Sequence, residues 1–290
     1  MEARSHRIYE LDACPILAPD LVDALPAARR VAEILAPLEK PLDLVVTASL
    51  HGLDLDFRGC GQLDFDRTQA LIAAAQALDL ARLSNHGVPL IERRPPEIAI
   101  GRARVTPPPG AFLQATAAGE EALAGLVRDA LGGVKKTADL FAGIGTFALR
   151  IAESSDVTAI EGAAEALAAG LRGGRAATGL RSLTGEVRDL FARPLLVTEL
   201  DRFDAVVFDP PRAGAEKQAH ELAKSAVTTV VGVSCNPQSF ARDAKILIAG
   251  GYELTKATPV DQFLYSPHVE LVGVFRKAAA KPARKRRLLG

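Results

Sequence analysis

Cysteine is scarce in this 290-residue chain: Cys14, Cys60 and Cys235 are the only three, and no two stand at Cys-x-x-Cys spacing. That excludes a disulfide framework and a self-sufficient zinc site. No stretch of about 18 uninterrupted apolar residues occurs, so no membrane span is expected. The opening residues, Met1-Glu-Ala-Arg-Ser-His-Arg7, lead into no apolar run, so no secretory signal is expected. A reducing, cytoplasmic location follows. Formal net charge is +0, so bulk electrostatics point to no nucleic-acid partner. No internal repeat is present.

Hydrophobic residues make up 48% of the chain and charged residues 24%, the balance of an ordinary soluble globular protein. The length allows one large domain or two modest ones. Charge is unevenly spread, because Lys277 to Arg287 holds six basic residues and no acidic one. Such a stretch either adds sequence-independent phosphate affinity or is a solvated tail.

Two textures divide the chain. Residues 1 to about 108 read as a small α+β region. Leu42–Thr47 and Leu53–Phe57 alternate with period two around His51-Gly52, which predicts a hairpin. Thr68 to Leu83 reads as an amphipathic helix. Pro107-Pro-Pro-Gly110 then punctuates the chain as a domain edge. A second domain is expected over 109–277, followed by the basic tail, 278–290. Glu120 to Leu131 is helical and stops at Gly132-Gly133. Strands are predicted at Thr137–Phe141, Asp156–Ile160, Phe203–Phe208, Thr228–Val233 and Val269–Phe275. Helices fit between them at Thr146–Glu153, Ala163–Leu171, Ala215–Ala226 and Gln238–Ala249. This alternation predicts a parallel, doubly wound α/β sheet.

Ligands collect at the C-terminal edge of such a sheet. The first predicted strand ends in Asp139-Leu-Phe141-Ala-Gly143-Ile-Gly145, glycines that let backbone amides approach a ligand at a helix N-terminus. Glu161 closes the next strand, where a carboxylate can accept from ribose hydroxyls. A nicotinamide cofactor or S-adenosylmethionine would satisfy both features. Asp209-Pro-Pro-Arg212 follows the Phe203–Phe208 strand candidate, and Cys235-Asn-Pro237 the next. A thiolate there is a strong nucleophile, although a lone cysteine in an apolar run is equally a small buried hydrophobe.

Together these runs resemble the S-adenosylmethionine-dependent RNA uracil-5-methyltransferases, particularly bacterial enzymes acting on 23S ribosomal RNA. The resemblance spans residues 112–270. It rests on Phe112-Leu-Gln114, Asp139-Leu-Phe-Ala-Gly-Ile-Gly145, Ile160-Glu-Gly162, Asp209-Pro-Pro-Arg-Ala-Gly214, Ser234-Cys-Asn-Pro-Gln-Ser-Phe-Ala-Arg-Asp243, Asp261-Gln-Phe263 and His268-Val-Glu270. Arg212 replaces the aromatic ring usual after the prolines in amine-methylating enzymes.

The resemblance implies a Rossmann-like class I methyltransferase domain behind the small α+β domain, the latter expected to contact RNA. It implies Cys235 as nucleophile toward uracil C6 and Glu270 as the base removing the C5 proton. Gln114, Phe141, Gly143, Gly145, Glu161 and Asp209 are implied in the S-adenosylmethionine pocket or its border with uracil. No metal ligand is expected. The RNA implied is ribosomal, with transfer RNA, or a catalytically weak RNA-binding remnant of the family, as alternatives. A monomer is expected.

Relatives also carry an N-terminal β-barrel and a [4Fe–4S] cluster. Cys14 sits in Ile8-Tyr-Glu-Leu-Asp-Ala-Cys14, which resembles the segment of the last cluster cysteine, but no partner cysteines flank it and Cys60 is remote. No iron–sulfur cluster is therefore expected in this chain. Thr116 replaces a family asparagine, and Ala176-Ala-Thr-Gly179 lacks another.

Overall fold

The structure, a computed structural model, describes Leu11 and residues 13–277. The chain divides into two compact units: residues up to Ala99 together with Arg104–Phe112, and Ile100–Ala103 together with the residues from Leu113 onward. The basic tail beyond Lys277 lies outside the described residues.

The first unit packs helices α1 (Ala24–Leu35) and α2 (Phe65–Ala77) on a four-stranded sheet. Its strands are β1 (Asp43–Ser49), β2 (Gly52–Arg58), β3 (Arg82–Asn85) and β4 (Val88–Glu92). Alternation sorts the faces of β2. Leu55 and Phe57 join Leu83, Val31, Leu35 and Leu71 in the core, whereas Asp54 and Asp56 turn to the other face. There Arg82 makes a two-pronged ion pair with Asp54 (2.9 and 2.6 Å) and donates to the Pro107 carbonyl (2.9 Å). The predicted hairpin forms, with Ser49 paired to Gly52. The predicted helix over Thr68–Leu83 is shifted: Asp64 caps its start by accepting from the Arg67 amide, and it stops at Ala77. Asp79, in the left-handed region at φ 51°, turns the chain so that Arg82 onward becomes a strand.

The short strands β5 (Ile98–Ile100) and β6 (Ala103–Val105) pair where the chain passes between units. The second unit then opens with α3 (Ala117–Leu131), capped by the Thr116 hydroxyl accepting from the Gly119 amide. Gly132 ends it at φ 58°.

A seven-stranded sheet follows, with strands β7 (Lys136–Leu140), β8 (Asp156–Glu161), β9 (Leu183–Val187), β10 (Ala205–Phe208), β11 (Thr229–Ser234), β12 (Tyr252–Val260) and β13 (Glu270–Lys277). Their spatial order is β12-β13-β11-β10-β7-β8-β9. Four of the five predicted strands run parallel as expected, joined by β9, which the sequence pattern does not predict, but the fifth, β13, lies antiparallel between β11 and β12. The sheet is therefore mixed, because a hairpin rather than a crossover helix joins β12 to β13. Helices α4 (Ala148–Ile151), α5 (Ala164–Ala176), α6 (Val197–Leu200), α7 (Glu216–Lys224) and α8 (Pro237–Ala249) complete the unit. The helix predicted over Thr146–Glu153 is a single turn.

Successive residues of the central strands feed opposite cores, as two-sided covering requires. Val207, Val231 and Val233 pack with Leu123 and Val127, whereas Val206, Phe208 and Val230 pack with Phe240 and Leu247. The C-terminal ends of the parallel strands, which follow Leu140, Glu161, Phe208 and Ser234, form one edge of the second unit.

Candidate active site

The glycine turn begins at Phe141, which adopts φ 61°, uncommon for a residue with a side chain. Gly143 (φ 55°) and Gly145 (φ 94°) carry the chain through the left-handed region that favours glycine. The turn is held from the neighbouring strand. Glu161 Oε2 accepts from the Gly143 amide (2.9 Å) and Oε1 from the Ala163 amide (2.7 Å). Both oxygens of Glu161 thus brace two turns, and each keeps a further lone pair for a ligand hydroxyl.

Asp139 lies beneath this turn, fully buried, and neither carboxylate oxygen has a hydrogen-bond partner. Burial first, then the charge of Asp209, raises its carboxyl well above the ordinary value. A buried orphan acid beside an open glycine turn suits a ligand that brings positive charge. S-adenosylmethionine carries an ammonium and a sulfonium, so this donor set fits it. A cavity of about 350 Å³ opens beside the turn, with Phe141, Leu190, Phe191, Gly214, Lys217 and Arg242 among its walls.

Beyond β10 and β11, two loops are tied together. Asn236 caps α8 by accepting from the Gln238 amide (3.0 Å), while its Nδ2 donates to the Arg212 carbonyl (3.0 Å). Pro237 occupies the first helical turn, where its missing N–H is harmless. Asp243 Oδ2 accepts from the Ala215 amide (2.6 Å), fixing the far end of the Asp209-Pro-Pro-Arg loop. The residues after Cys235 therefore anchor the loop that faces it. The Arg212 guanidinium sits 3.4 and 3.5 Å from the two ring nitrogens of His268.

Cys235 and Glu270 meet across a strand pair. Ser234 on β11 is registered against Leu271 on antiparallel β13, so Cys235 and Glu270 are the next residues outward on the two strand ends. Their electrostatics agree. The Cys235 thiol is raised by burial, then by the Glu270 and Asp209 carboxylates, with Arg212 opposing. Glu270 is itself raised by burial, with a hydrogen bond from Gln262 and the charge of Arg212 pulling it down. Asp209 is pushed up to about 7, by burial and then by Glu270.

Polar side chains connect these acids. Gln114 Nε2 donates to Asp209 Oδ2 (3.2 Å). Gln262 Nε2 donates to Gln114 Oε1 (3.0 Å) and to Glu270 Oε1 (3.4 Å).

All eight residues expected from the sequence thus lie on one edge of the second unit. Gln114, Asp209, Cys235 and Glu270 form one cluster, and Phe141, Gly143, Gly145 and Glu161 form the adjoining turn. Asp139 links the two through its repulsion with Asp209 and Glu161. Sequence reasoning gave no role to Gln262, although it lies within the Asp261-Gln-Phe263 run. It also gave none to Asp139, whose signal was an acid inside a buried strand. Among the described residues no group of three or more His, Cys, Asp or Glu side chains could hold a metal. Cys14 and Cys60 are free thiols, Cys60 being buried.

The sheet order, with its antiparallel seventh strand, and the glycine turn define the class I S-adenosylmethionine-dependent methyltransferase fold. The crystal structure of Pyrococcus abyssi tRNA (uracil-54, C5)-methyltransferase in complex with S-adenosyl-L-homocysteine shares it at a TM-score of 0.72 and 22% identity, covering 93% of this chain and 69% of that one. Residues 181–279 match the tRNA (uracil-5-)-methyltransferase family model. An uncharacterized RNA methyltransferase of Brucella melitensis is 50% identical over 274 residues, covering 94% of this chain and 66% of its own length. Others of the same description are covered to 67–69%. The 23S rRNA (uracil(1939)-C(5))-methyltransferase RlmD of Chromohalobacter salexigens is 39% identical over 168 residues, 56% of this chain and 34% of that protein. The chain belongs to the family of these RNA methyltransferases. It spans about two thirds of the length of the curated relatives it matches.

Proposed function

We propose that the chain transfers a methyl group from S-adenosylmethionine to C5 of a uridine in RNA, through a covalent bond between Cys235 and uracil C6. The observation that carries this reading is the pairing of Cys235 with Glu270 at the ends of adjacent strands, beside the glycine turn. A thiol and a carboxylate on neighbouring strand ends suit the two halves of one reaction.

Uracil C5 is a poor carbon nucleophile. Attack of the Cys235 thiolate on C6 turns C5 into an enolate-like centre. Asp139, Gly143, Gly145 and Glu161 would hold S-adenosylmethionine, which supplies the electrophilic methyl group when bound. Glu270 then removes the C5 proton; the C5–H electron pair becomes the C5=C6 double bond as the C6–S bond breaks and the thiolate leaves. Burial raises the Glu270 carboxyl above its ordinary value, the direction that strengthens it as a base. Arg212 is the cation that opposes the upward shift of the thiol, which makes it the group that favours thiolate formation.

Ribosomal RNA is the favoured substrate, supported by the match to RlmD. Transfer RNA is the alternative, since the family model and the structural neighbour both carry that name. The first unit is proposed as the RNA-contacting part, and the protein as a cytoplasmic monomer. No helix among the described residues is long and apolar enough to cross a membrane.

The test is methyl transfer from labelled S-adenosylmethionine to unmodified ribosomal and transfer RNA, with nucleoside analysis of the product. 5-Methyluridine formed by the wild type and lost in Cys235→Ala is the expected outcome. Label in any other nucleoside, or undiminished product in Cys235→Ala, refutes the reading.

A further inference from the structure

We propose that Gln262 is a positioning residue for Glu270, tying down one carboxylate oxygen so that the other receives the C5 proton. The proposal rests on the function argued above.

Gln262 follows β12, and Gln114 precedes α3. The Gln262 side-chain NH₂ has two hydrogens, and Gln114 Oε1 and Glu270 Oε1 are acceptors for both. The Gln114 amide in turn donates to Asp209 Oδ2. Two amides therefore join two acids. With Glu270 ionised, only this orientation of the Gln262 amide bonds both of its neighbours; the reverse would set an amide oxygen against a carboxylate.

The arrangement leaves Gln262 Oε1 buried without a partner, against Gly119 of α3. A methyl group at residue 119 would overlap Gln262 Oε1 and sit 2.9 Å from Gln262 Cβ. Packing alone would be served better by an apolar side chain, which has no carbonyl to leave unsatisfied. What the amide adds is its pair of bonds, one to Gln114 Oε1 and one to Glu270 Oε1. Among the described residues Oε2 takes no hydrogen bond, so it is the oxygen left to receive the proton. The bond to Glu270 also favours its ionised form, the form that accepts a proton.

Gln262→Met keeps the length and removes the donor. Enzyme, uridine RNA tritiated at C5 and S-adenosylmethionine are mixed over a range of pH. Denaturant-resistant protein–RNA complex and released tritium are followed together, and calorimetry with S-adenosylmethionine reports folding of the site. The expected result is complex formation near the wild-type rate with tritium release slowed roughly tenfold, so that methylated covalent complex accumulates on ordinary uridine. The acid limb of the release profile should also move to higher pH, because the lost bond favoured the carboxylate. Unchanged release with an unmoved acid limb overturns the proposal. So does loss of complex formation together with loss of cofactor binding, which would make Gln262 merely structural. Absence of tritium release from the wild type would instead refute the function proposed above, before Gln262 enters.

Discussion

Gly119→Ala tests the packing of the site by a substitution that local propensity alone would favour. Alanine in place of glycine in a helix gains about 0.5–1 kcal/mol. Against this, the new methyl meets Gln262 Oε1, Gln262 Cβ and the Thr116 hydroxyl, the last two at 2.9 Å. Overpacking of this kind costs about 1–3 kcal/mol. Expelling Gln262 also breaks its bonds to Gln114 and Glu270, each contributing roughly 1 kcal/mol. The steric and hydrogen-bond terms win, leaving a net loss of about 2–4 kcal/mol. For a unit of this size that is a fall in Tm of roughly 4–16 °C. Thermal unfolding followed by calorimetry, alongside C5 tritium release, is the assay. Both Tm and release rate should fall. A variant as stable as the wild type, or more so, with unchanged release would refute the placement of Gln262 against α3.

Replacing Arg212 by Gln removes the cation that lowers the Cys235 thiol. The pH midpoint for alkylation of Cys235 by iodoacetamide should rise, and an unmoved midpoint would exclude Arg212 from thiolate stabilisation. Asp209 is raised to about 7 in the folded protein from an ordinary value near 3.8. Its stabilising contribution is therefore full below pH 4 and lost as pH rises through 7. Urea unfolding should show wild type losing more stability between pH 5 and 8 than Asp209→Asn, and equal losses would contradict the shift. In the first unit, Arg82→Met strands Asp54 in a buried position and should cost about 3–5 kcal/mol by denaturant unfolding. A change under 1 kcal/mol would mean that water reaches that ion pair.

Much of the site could be read from the residues because its chemistry is local. Asn236-Pro237 announces a helix start just after a buried strand, and that places Cys235 at the sheet edge. Gly143 and Gly145 announce the turn for the same kind of reason. What escaped depends on contacts between distant segments. Gln262 acquires its role from Gln114, 148 residues away in sequence. Strands β9 and β12 carry no clear strand signal because both are polar edge strands: Thr184, Gly185 and Glu186 interrupt one, while Glu253, Lys256 and Pro259 interrupt the other. The antiparallel direction of β13 could not be read without β12. The apolar rhythm of Leu78, Leu80 and Leu83 continues through the bend at Asp79, so the sequence pattern extends the helix to Leu83 although it ends at Ala77.

The most direct test of the central claim uses RNA containing 5-fluorouridine, whose C5 fluorine cannot leave as a proton. Incubation with S-adenosylmethionine, digestion and peptide mass spectrometry should find the modified pyrimidine attached to the peptide bearing Cys235, with no adduct in Cys235→Ala. Attachment at another residue, or an adduct that survives Cys235→Ala, would contradict the account.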